Sequence, residues 1–360
     1  MTLRRGATIG IIGGGQLGRM LAMAAARLGF RTCVLEPQKD CPAAQVCNEQ
    51  IAAAYDDVSA LRQLADRCDV VTYEFENIDL DAARWLGTVA DLRPGALALE
   101  IAQDRLSEKT FLNDNGIATV AFRNIADAGE LAAALAEFGG KGILKTRRLG
   151  YDGKGQIRFR GDATDPRPED ALASLGNVPV ILEEFAPFAA EISVIAARGT
   201  DGAVVCYDPP RNVHEDGILA TSTLPSGVDP SVEAAAKTAA GKLAGALSYV
   251  GVLGLEFFVM EDGSLRANEF APRVHNSGHW TEAACIVSQF EQHIRAIAGW
   301  PLADGNRHSD CVMHNLIGGD IARIPALAAE AGVLAHDYGK KESRTGRKMG
   351  HFTRLGARIG

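Results

Sequence analysis

The sequence has no run of about 18 consecutive apolar residues, which is the length that a membrane-spanning helix requires. The longest apolar stretch near its start, residues 8–30, is interrupted by a glycine-rich turn and by Arg19. It also lacks the cleavage pattern of a secretory signal peptide. We therefore expect no membrane partner and a cytoplasmic location.

Basic residues and paired cysteines are also scarce. Lys and Arg number 37 against 45 Asp and Glu, a formal net charge of −8, so we expect no nucleic-acid partner. The seven cysteines contain no C-x-x-C pair, which argues against a disulfide framework and against a zinc site. Small basic clusters can still bind phosphate groups.

Strand and helix patterns alternate in the first hundred residues and change after residue 105. The alternation predicts a parallel α/β sheet with crossover helices. Beyond residue 105 short helices precede strand and hairpin signals, an α+β pattern, with boundaries near residues 105, 178 and 300. The predicted elements of the first part are the strands 7–12, 31–36 and 69–75 and the helices 17–28 and 58–67.

A glycine-rich turn follows the first predicted strand. Residues 13–18 fit G-x-G-x-x-G, and Glu36 lies 18 residues later at the end of the next strand, where a ribose-binding acid would be expected. This pattern is compatible with a nicotinamide dehydrogenase, although nothing downstream indicates a hydride-transfer site. The same turn also lets the backbone approach any phosphate at a helix N-terminus.

A second glycine loop joins two predicted strands. Lys145 lies on the first strand, and residues 150–156 contain three glycines and Lys154. Backbone N–H groups of such a loop can close over anionic oxygens. The alternative is an ordinary glycine hairpin.

The segments 255–261 and 264–270 flank Asp262-Gly263, a strong hairpin signal. A two-residue turn there would pair residues whose numbers add up to 525, so that Glu256 would face Glu269 directly. The rest of that face would be apolar, formed by residues 258, 260, 265 and 267. Because two buried carboxylates repel, a divalent cation is expected between them, and oxygen ligands favour magnesium or manganese. A one-residue shift in register would separate the two acids.

Three further segments concentrate polar residues. Residues 183–186 end an apolar strand and Glu191 opens the next one, so these positions could contact a nucleotide or could be solvated loop residues. Residues 271–280 follow the hairpin and would form a substrate floor. Residues 340–351 hold five Lys or Arg residues and one His, which suggests a bound phosphate or else a solvated basic tail.

These motifs together resemble the ATP-grasp superfamily and, within it, the 5-(carboxyamino)imidazole ribonucleotide synthase family. The matching segments run from residue 13 to residue 351, so the resemblance covers essentially the whole chain. It implies a Rossmann-like N-terminal domain (1–105), linker helices with a glycine-loop lid (106–178), an ATP-grasp subdomain with the metal site (179–300) and a C-terminal substrate-contacting segment (301–360). The segment 268–280 carries the resemblance most specifically.

The resemblance implies that ATP and bicarbonate form carboxyphosphate, which carboxylates 5-aminoimidazole ribonucleotide in purine biosynthesis. Magnesium would be bound by Glu256 and Glu269, and Asp152 and Lys341 would take part in the chemical step. The implied ATP-binding residues are Arg105, Lys145, Gly150, Tyr151, Asp152, Gly153, Lys154, Gly155, Gln156, Glu183, Glu184, Phe185, Ala186, Glu191, His214, Asn268 and Glu269. The implied substrate-binding residues are Gln16, Leu17, Glu74, Glu76, Tyr151, Lys154, Arg273, His275, Lys341, Arg347 and Lys348.

Some points stay open at the level of sequence. Many ATP-grasp enzymes have Asn two positions after the second metal-binding Glu, but here that position is Ala271, which leaves a third metal ligand unassigned. Either Glu74 or Glu76 could face the substrate. A homodimer is implied by the resemblance alone. The alternatives are a formate-dependent glycinamide ribonucleotide formyltransferase, which would use the same lid and metal, and a nucleotide sensor without turnover.

Overall fold

The computed structural model describes residues 2–150 and 155–358. Its N-terminal part is a parallel sheet of strand order β3-β2-β1-β4, flanked by helices, as the alternating pattern predicts. Asp57 caps the second helix by accepting hydrogen bonds from the N–H groups of Ser59 and Ala60. The elements are β1 (Thr8–Ile12), α1 (Gln16–Arg27), β2 (Arg31–Leu35), β3 (Glu49–Ile51), α2 (Val58–Arg67), β4 (Val70–Tyr73), α3 (Leu80–Val89) and α4 (Ala96–Ala102).

The second part is a small antiparallel sheet of order β5-β8-β6-β7 with its own apolar core. The predicted glycine loop connects β6 to β7, and most of that loop, residues 151–154, lies outside the described residues. The elements are α5 (Arg105–Asp114), β5 (Phe122–Ile125), α6 (Ala128–Glu137), β6 (Lys141–Thr146), β7 (Gln156–Arg160), α7 (Pro168–Ser174) and β8 (Val180–Glu184).

The third part is a large antiparallel sheet whose main order is β14-β13-β9-β11-β12-β15-β17-β16, with β10 paired to β9. The C-terminal strands join it through β12 and β15, so residues 310–356 continue the same sheet. The elements are β9 (Phe188–Arg198), β10 (Val204–Cys206), β11 (Arg211–Glu215), β12 (Ile218–Leu224), α8 (Pro230–Ala246), β13 (Gly251–Met260), β14 (Leu265–Ala271), a 3₁₀ turn (Asn276–Gly278), α9 (Thr281–Ala284), α10 (Gln289–Ala298), β15 (Asp310–Ile317), a second 3₁₀ turn (Gly318–Arg323), α11 (Ile324–Leu327), β16 (Val333–Asp337) and β17 (Lys348–Gly356).

The N-terminal part packs against α10 of the third part. Leu3 donates its backbone N–H to Ala298 O at 2.8 Å, and the rings of Phe30 and Trp300 lie 5.0 Å apart. One apolar cluster includes residues of α1, β9 and β15, so the N-terminal part and the large sheet share a core. Among the described residues, no helix combines the length and the apolar character needed to cross a bilayer.

Candidate active site

The β13–β14 hairpin differs from its predicted register near the turn. The predicted two-residue turn is wrong, because Met260 N donates to Ser264 O and a three-residue loop connects the strands. Gly263 takes φ +80°, the left-handed conformation that such a loop requires. Phe257 therefore faces Ala267, which is buried in the core and does not share a face with Glu256.

A β-bulge further along the hairpin brings the two predicted acids together. Leu255 pairs with Phe270, whereas Phe257 pairs with Ala267, so β14 contains one extra residue between these pairs. Asn268 and Glu269 consequently lie opposite Glu256. The three-residue loop shifts the register by one residue and the bulge shifts it back. The two glutamates therefore face each other although the hairpin does not have the predicted two-residue turn.

The two glutamates differ in their electrostatic surroundings. Burial and the charge of Glu269 raise the pKa of Glu256 to about 7. Burial also opposes ionisation of Glu269, but the charge and hydrogen bond of Arg105 outweigh it and lower the pKa of Glu269 to about 2. Arg105 Nη1 lies 2.9 Å from Glu269 Oε2, and His275 Nε2 lies 3.4 Å from Glu256 Oε1.

The donor atoms at the bulge fit a divalent cation. The Oδ1 atom of Asn268 is buried and has no hydrogen-bond partner within residues 2–150 and 155–358. Together with the carboxylates of Glu256 and Glu269 it forms an all-oxygen donor set, which suits magnesium or manganese. Asn268 Oδ1 is thus a candidate for the third donor that Ala271 leaves unassigned in the sequence pattern.

A buried ion cluster lies beside the bulge. Glu183 is 2% exposed, and its Oε2 lies 2.8 Å from Lys145 Nζ and 3.4 Å from Lys109 Nζ. Burial opposes ionisation of Glu183, but both lysines lower its pKa to about 2. Glu183 therefore acts as their counter-ion, while Glu184 is exposed and Phe185 half-buried beside the guanidinium of Arg158.

Sequence reasoning missed Lys109, which is fully buried on α5. Its Nζ donates to Asn268 O at 3.1 Å, at the bulge itself. The available signal was local: Glu108 and Lys109 share the helix face of buried Leu112, so two charged residues occupy core positions. A buried lysine and a buried glutamate require partners, and a site rich in charge supplies them.

The first glycine turn binds carboxylates of the chain itself. Glu74 accepts hydrogen bonds from the backbone N–H groups of Gly15 and Gly18, and Glu36 accepts one from Gly14 at 2.9 Å. Glu36 is also bound by the Tyr55 hydroxyl. The N–H donors that a dinucleotide phosphate would need are thus already bonded, which disfavours the nicotinamide interpretation.

The cleft between the parts is lined by Glu76, Arg105, Glu256, Glu269 and His275, among others. Glu76 forms a two-pronged ion pair with Arg273, with an Nη2–Oε1 distance of 3.0 Å. Of the two candidate acids, Glu76 thus faces the cleft, whereas Glu74 binds the glycine turn. Gln16 and Leu17 begin α1 directly after that turn.

Three other predicted residues lie on strands of the large sheet: Glu191 on β9, His214 on β11 and Lys348 on β17. Glu191 Oε2 is 2.5 Å from His214 Nδ1 across β9 and β11. Burial, together with the charges of Arg273 and Lys348, lowers the pKa of His275 to about 3, so Lys348 acts electrostatically on the cleft.

The structure does not bring Lys341 into the same cleft. The Lys341 side chain is 59% exposed, and its Nζ lies 3.3 Å from Asp40 Oδ2. With Arg347 it lines a neighbouring pocket next to the loop after β2. Tyr151, Asp152, Gly153 and Lys154 lie outside the described residues, whereas Gly150 borders the cleft and Gly155 and Gln156 lead into β7.

Comparison with protein families agrees with this architecture. Residues 110–290 match the ATP-grasp domain, residues 6–103 the ribonucleotide synthetase preATP-grasp domain, and residues 311–359 the phosphoribosylaminoimidazole carboxylase C-terminal domain. The predicted ATP-grasp fold with a Rossmann-like N-terminal domain is confirmed.

Individual proteins are similar over nearly the whole chain. N5-carboxyaminoimidazole ribonucleotide synthase of Brucella melitensis is 60% identical over 98% of both chains. A crystal structure of N5-carboxyaminoimidazole ribonucleotide synthetase with ADP is 41% identical, with TM-score 0.94, over 99% of this chain and 94% of that one. The Aspergillus clavatus synthase with ADP and 5-aminoimidazole ribonucleotide is 31% identical, with TM-score 0.90, over 98% and 94%.

Proposed function

Because the chain belongs to the N5-carboxyaminoimidazole ribonucleotide synthase family of ATP-grasp enzymes, we propose that it joins a carboxyl group to 5-aminoimidazole ribonucleotide at the expense of ATP. The chain is thus an ATP-grasp ligase of purine biosynthesis that forms ADP. The observation that carries the assignment to this site is the buried acid pair at the bulge, flanked by Arg105. Bicarbonate is the carboxyl donor of the proposal.

ATP binds between the small antiparallel sheet and the large sheet. Arg105 and Lys145 supply positive charge at the cleft, and the Glu191–His214 pair borders it. The backbone of residues 184–186, at the exposed end of β8, is available to contact the adenine base of ATP. Glu183 supports this site indirectly, because it holds Lys145 in place.

A magnesium or manganese ion would be held by Glu256, Glu269 and Asn268 Oδ1. The buried oxygen of Asn268, which has no hydrogen-bond partner among the described residues, supports this donor set. When bound, the ion neutralises charge on the transferring phosphoryl group and removes the repulsion between the two carboxylates. Arg105 keeps Glu269 ionised and thus ready for the cation.

The ribonucleotide and bicarbonate lie on the side of Glu76, Arg273 and His275. A bicarbonate oxygen attacks the γ-phosphorus of ATP, ADP leaves, and the carboxyphosphate formed is attacked at carbon by the exocyclic amine, which releases phosphate. Carboxyphosphate is short-lived in water, so the cleft must exclude solvent during this sequence. Asp152, Lys341 and a homodimeric assembly remain predictions at this point.

The test is release of ADP by the purified enzyme with each substrate omitted in turn. We expect release to require both bicarbonate and 5-aminoimidazole ribonucleotide, and formate not to replace bicarbonate. Release that is supported by formate and glycinamide ribonucleotide would instead establish the formyltransferase alternative. ATP binding without turnover under all conditions would indicate a sensor.

Lys341→Ala tests the proposed role of the C-terminal cations. We expect carboxylation to be lost while the Kd for ATP stays nearly unchanged, because Arg105 and Lys145 already serve the nucleotide. A lost charge-assisted contact to a second anion costs about 1.5–3 kcal/mol in binding. Normal carboxylation by this variant would show that Lys341 only pairs with Asp40 at the surface.

A further inference from the structure

A chain of buried hydroxyl and amide groups runs from the large sheet to the ring of His275. Ser222 Oγ lies 2.7 Å from Asn212 Oδ1, and Asn212 Nδ2 lies 2.9 Å from Ser193 Oγ. Ser193 Oγ lies 2.6 Å from Ser277 Oγ, which in turn lies 2.8 Å from His275 Nδ1. The four residues that precede the imidazole in this chain of contacts are each at most 5% exposed.

The donor and acceptor in each of these hydrogen bonds follow from the contacts of the His275 ring. The backbone N–H of Ser277 points at His275 Nδ1 at 3.4 Å, and a backbone N–H can only donate. Nδ1 is therefore an acceptor, and the Ser277 hydroxyl donates to it. The same direction continues outward, because Ser193 then donates to Ser277 and the amide of Asn212 donates to Ser193.

The imidazole proton consequently lies on Nε2, the atom 3.4 Å from Glu256 Oε1. A second buried contact fixes the backbone of the same residue. Gln289, which is fully buried, accepts the His275 N–H at 2.9 Å and donates to its carbonyl at 2.7 Å. Both the ring and the backbone of His275 are thus held by buried polar partners.

A buried polar chain of this kind requires a reason other than stability. Each buried hydroxyl or amide loses its hydration, and well-packed apolar side chains at such positions are often at least as stabilising. A chain of buried polar groups whose hydrogen bonds are all formed holds the group at its end in a single orientation. That group borders the carboxylate assigned to the cation.

We propose that Ser277, Ser193 and Asn212 are positioning residues that hold His275 as a fixed Nε2–H donor toward Glu256. The Nε2–H faces Glu256 Oε1 at 3.4 Å, a distance longer than a regular hydrogen bond, and favours one orientation of that carboxylate for the divalent cation. Hydrogen-bond partners of metal ligands commonly change metal affinity or activity about 10–100-fold when they are removed. The inference rests on the proposed function, because it takes Glu256 as a metal ligand.

The tautomer of His275 is measurable in the metal-free protein by long-range ¹⁵N–¹H correlation spectra of ¹⁵N-histidine-labelled enzyme. His293 is an internal reference, since Val252 N donates to its Nδ1 at 3.1 Å and its Nε2 faces Thr72 Oγ1 at 2.9 Å. We expect both residues to carry the proton on Nε2 in the wild type. In Ser277→Ala the hydroxyl contact at 2.8 Å is lost and only the long backbone N–H contact at 3.4 Å remains, so His275 should shift toward a mixture of tautomers while His293 is unchanged.

Ser226→Ala is the matched control, because Ser226 is a buried serine whose hydroxyl donates to Glu233 outside the chain. It should leave the His275 signals and the metal requirement unaltered. In Ser277→Ala the magnesium concentration for half-maximal ADP formation should rise about 10–100-fold, with a smaller change in kcat at saturating metal. Ser193→Ala, one step further away, should show the same changes in weaker form and replaces Ser277→Ala if that variant does not fold.

A wild-type His275 with its proton on Nδ1 would overturn the proposal. So would a folded Ser277→Ala enzyme with an unchanged tautomer and an unchanged magnesium requirement. If the wild type releases no ADP in response to the ribonucleotide, the proposed function fails, whereas the tautomer spectra still decide whether the chain directs His275.

Discussion

At the scale of single residues, the neighbours of each buried carboxylate determine its ionisation. Glu183 and Glu269 stay ionised because lysines and an arginine surround them, and their pKa values are lowered to about 2. Burial and the charge of Glu269 instead raise the pKa values of Glu256 and Glu108, to about 7 and about 8. Arg105 thus balances only part of the negative charge, and a bound cation would balance more of it.

Glu256→Gln and Glu269→Gln should each reduce magnesium-dependent turnover about tenfold or more, since each removes a proposed metal ligand. Their effects on the metal-free protein should be opposite. Glu256→Gln should raise the melting temperature, because it removes a repelled carboxylate, and Glu269→Gln should lower it, because Arg105 loses its partner.

The stabilisation by Glu256→Gln should depend on pH. A carboxyl whose pKa is raised on folding destabilises the protein as it ionises, so the advantage of Gln should grow from about pH 4.5 to about pH 7 and then level off. Melting temperatures of both variants without metal, measured across this range, check the prediction. A clear drop for both variants would mean that the two acids serve the structure.

Glu183→Gln should destabilise the protein by about 3–5 kcal/mol at pH 7, because it leaves Lys109 and Lys145 buried without their counter-ion. The pKa of Glu183 is lowered on folding, so its contribution is present above about pH 4.5 and is lost as the pH falls toward 2. Urea unfolding at several pH values checks this. Glu184→Gln, the exposed neighbour, should change stability by less than about 0.5 kcal/mol.

At the scale of elements, the β13–β14 hairpin positions the metal ligands. Its three-residue loop shifts the register by one residue, and the bulge at Asn268 shifts it back before Glu256. The bulge carbonyl is held by Lys109 from α5, and the Phe270 N–H is held by Glu108 from the same helix at 2.6 Å. A helix outside the hairpin thus stabilises its irregular register.

Gly263→Ala should destabilise the protein by about 1–2 kcal/mol, because a side chain at φ +80° is strained although the space around it is open. Its magnesium requirement should be unchanged, since the substitution strains the loop but leaves both the loop length and the bulge, which together set the position of Glu256. Gly87→Ala in α3 is the control and should stabilise the protein by about 0.5–1 kcal/mol, because no tertiary neighbour in the described part of the chain lies within 4 Å of a Cβ at that position. Thermal melts and ADP release measure both effects, and a metal defect in Gly263→Ala would contradict this division.

At the scale of the whole molecule, the C-terminal segment is built into the large sheet. β15 pairs with β12, β17 pairs with β15, and Met313 of β15 is fully buried in the cluster that also contains residues of α1. Basic residues of the segment reach the region of the cleft from this sheet, as the effect of Lys348 on His275 indicates. The segment therefore has a structural role besides any contact with substrate.

Met313→Ala should cost about 2–5 kcal/mol and should lower the main unfolding transition as a whole. Met23→Ala on α1, where the side chain is 43% exposed, should change stability by less than about 0.5 kcal/mol. Differential scanning calorimetry compares the two. A separate early transition in Met313→Ala, with the main transition unchanged, would show that the C-terminal strands unfold independently.

The sequence by itself determined the class of fold and most of the chemistry. Apolar periodicity located the parallel sheet and its helices α1 and α2, since an element that is buried on one face repeats its apolar residues at a regular spacing. Motifs located the acid pair at 256 and 269 and the cation at 145, and the family resemblance added Arg105. These features are local, so neighbouring residues suffice to specify them.

Only the tertiary structure decided how these groups are used. Lys109, Asn268 and the chain from Asn212 to His275 depend on contacts between residues far apart in the sequence. The bulge arises where α5 packs on β14, and no turn rule anticipates it. Whether a glutamate binds a metal, a lysine or a backbone N–H depends on which charges packing brings within a few ångströms, because electrostatic energies inside a protein fall steeply with distance and exposure.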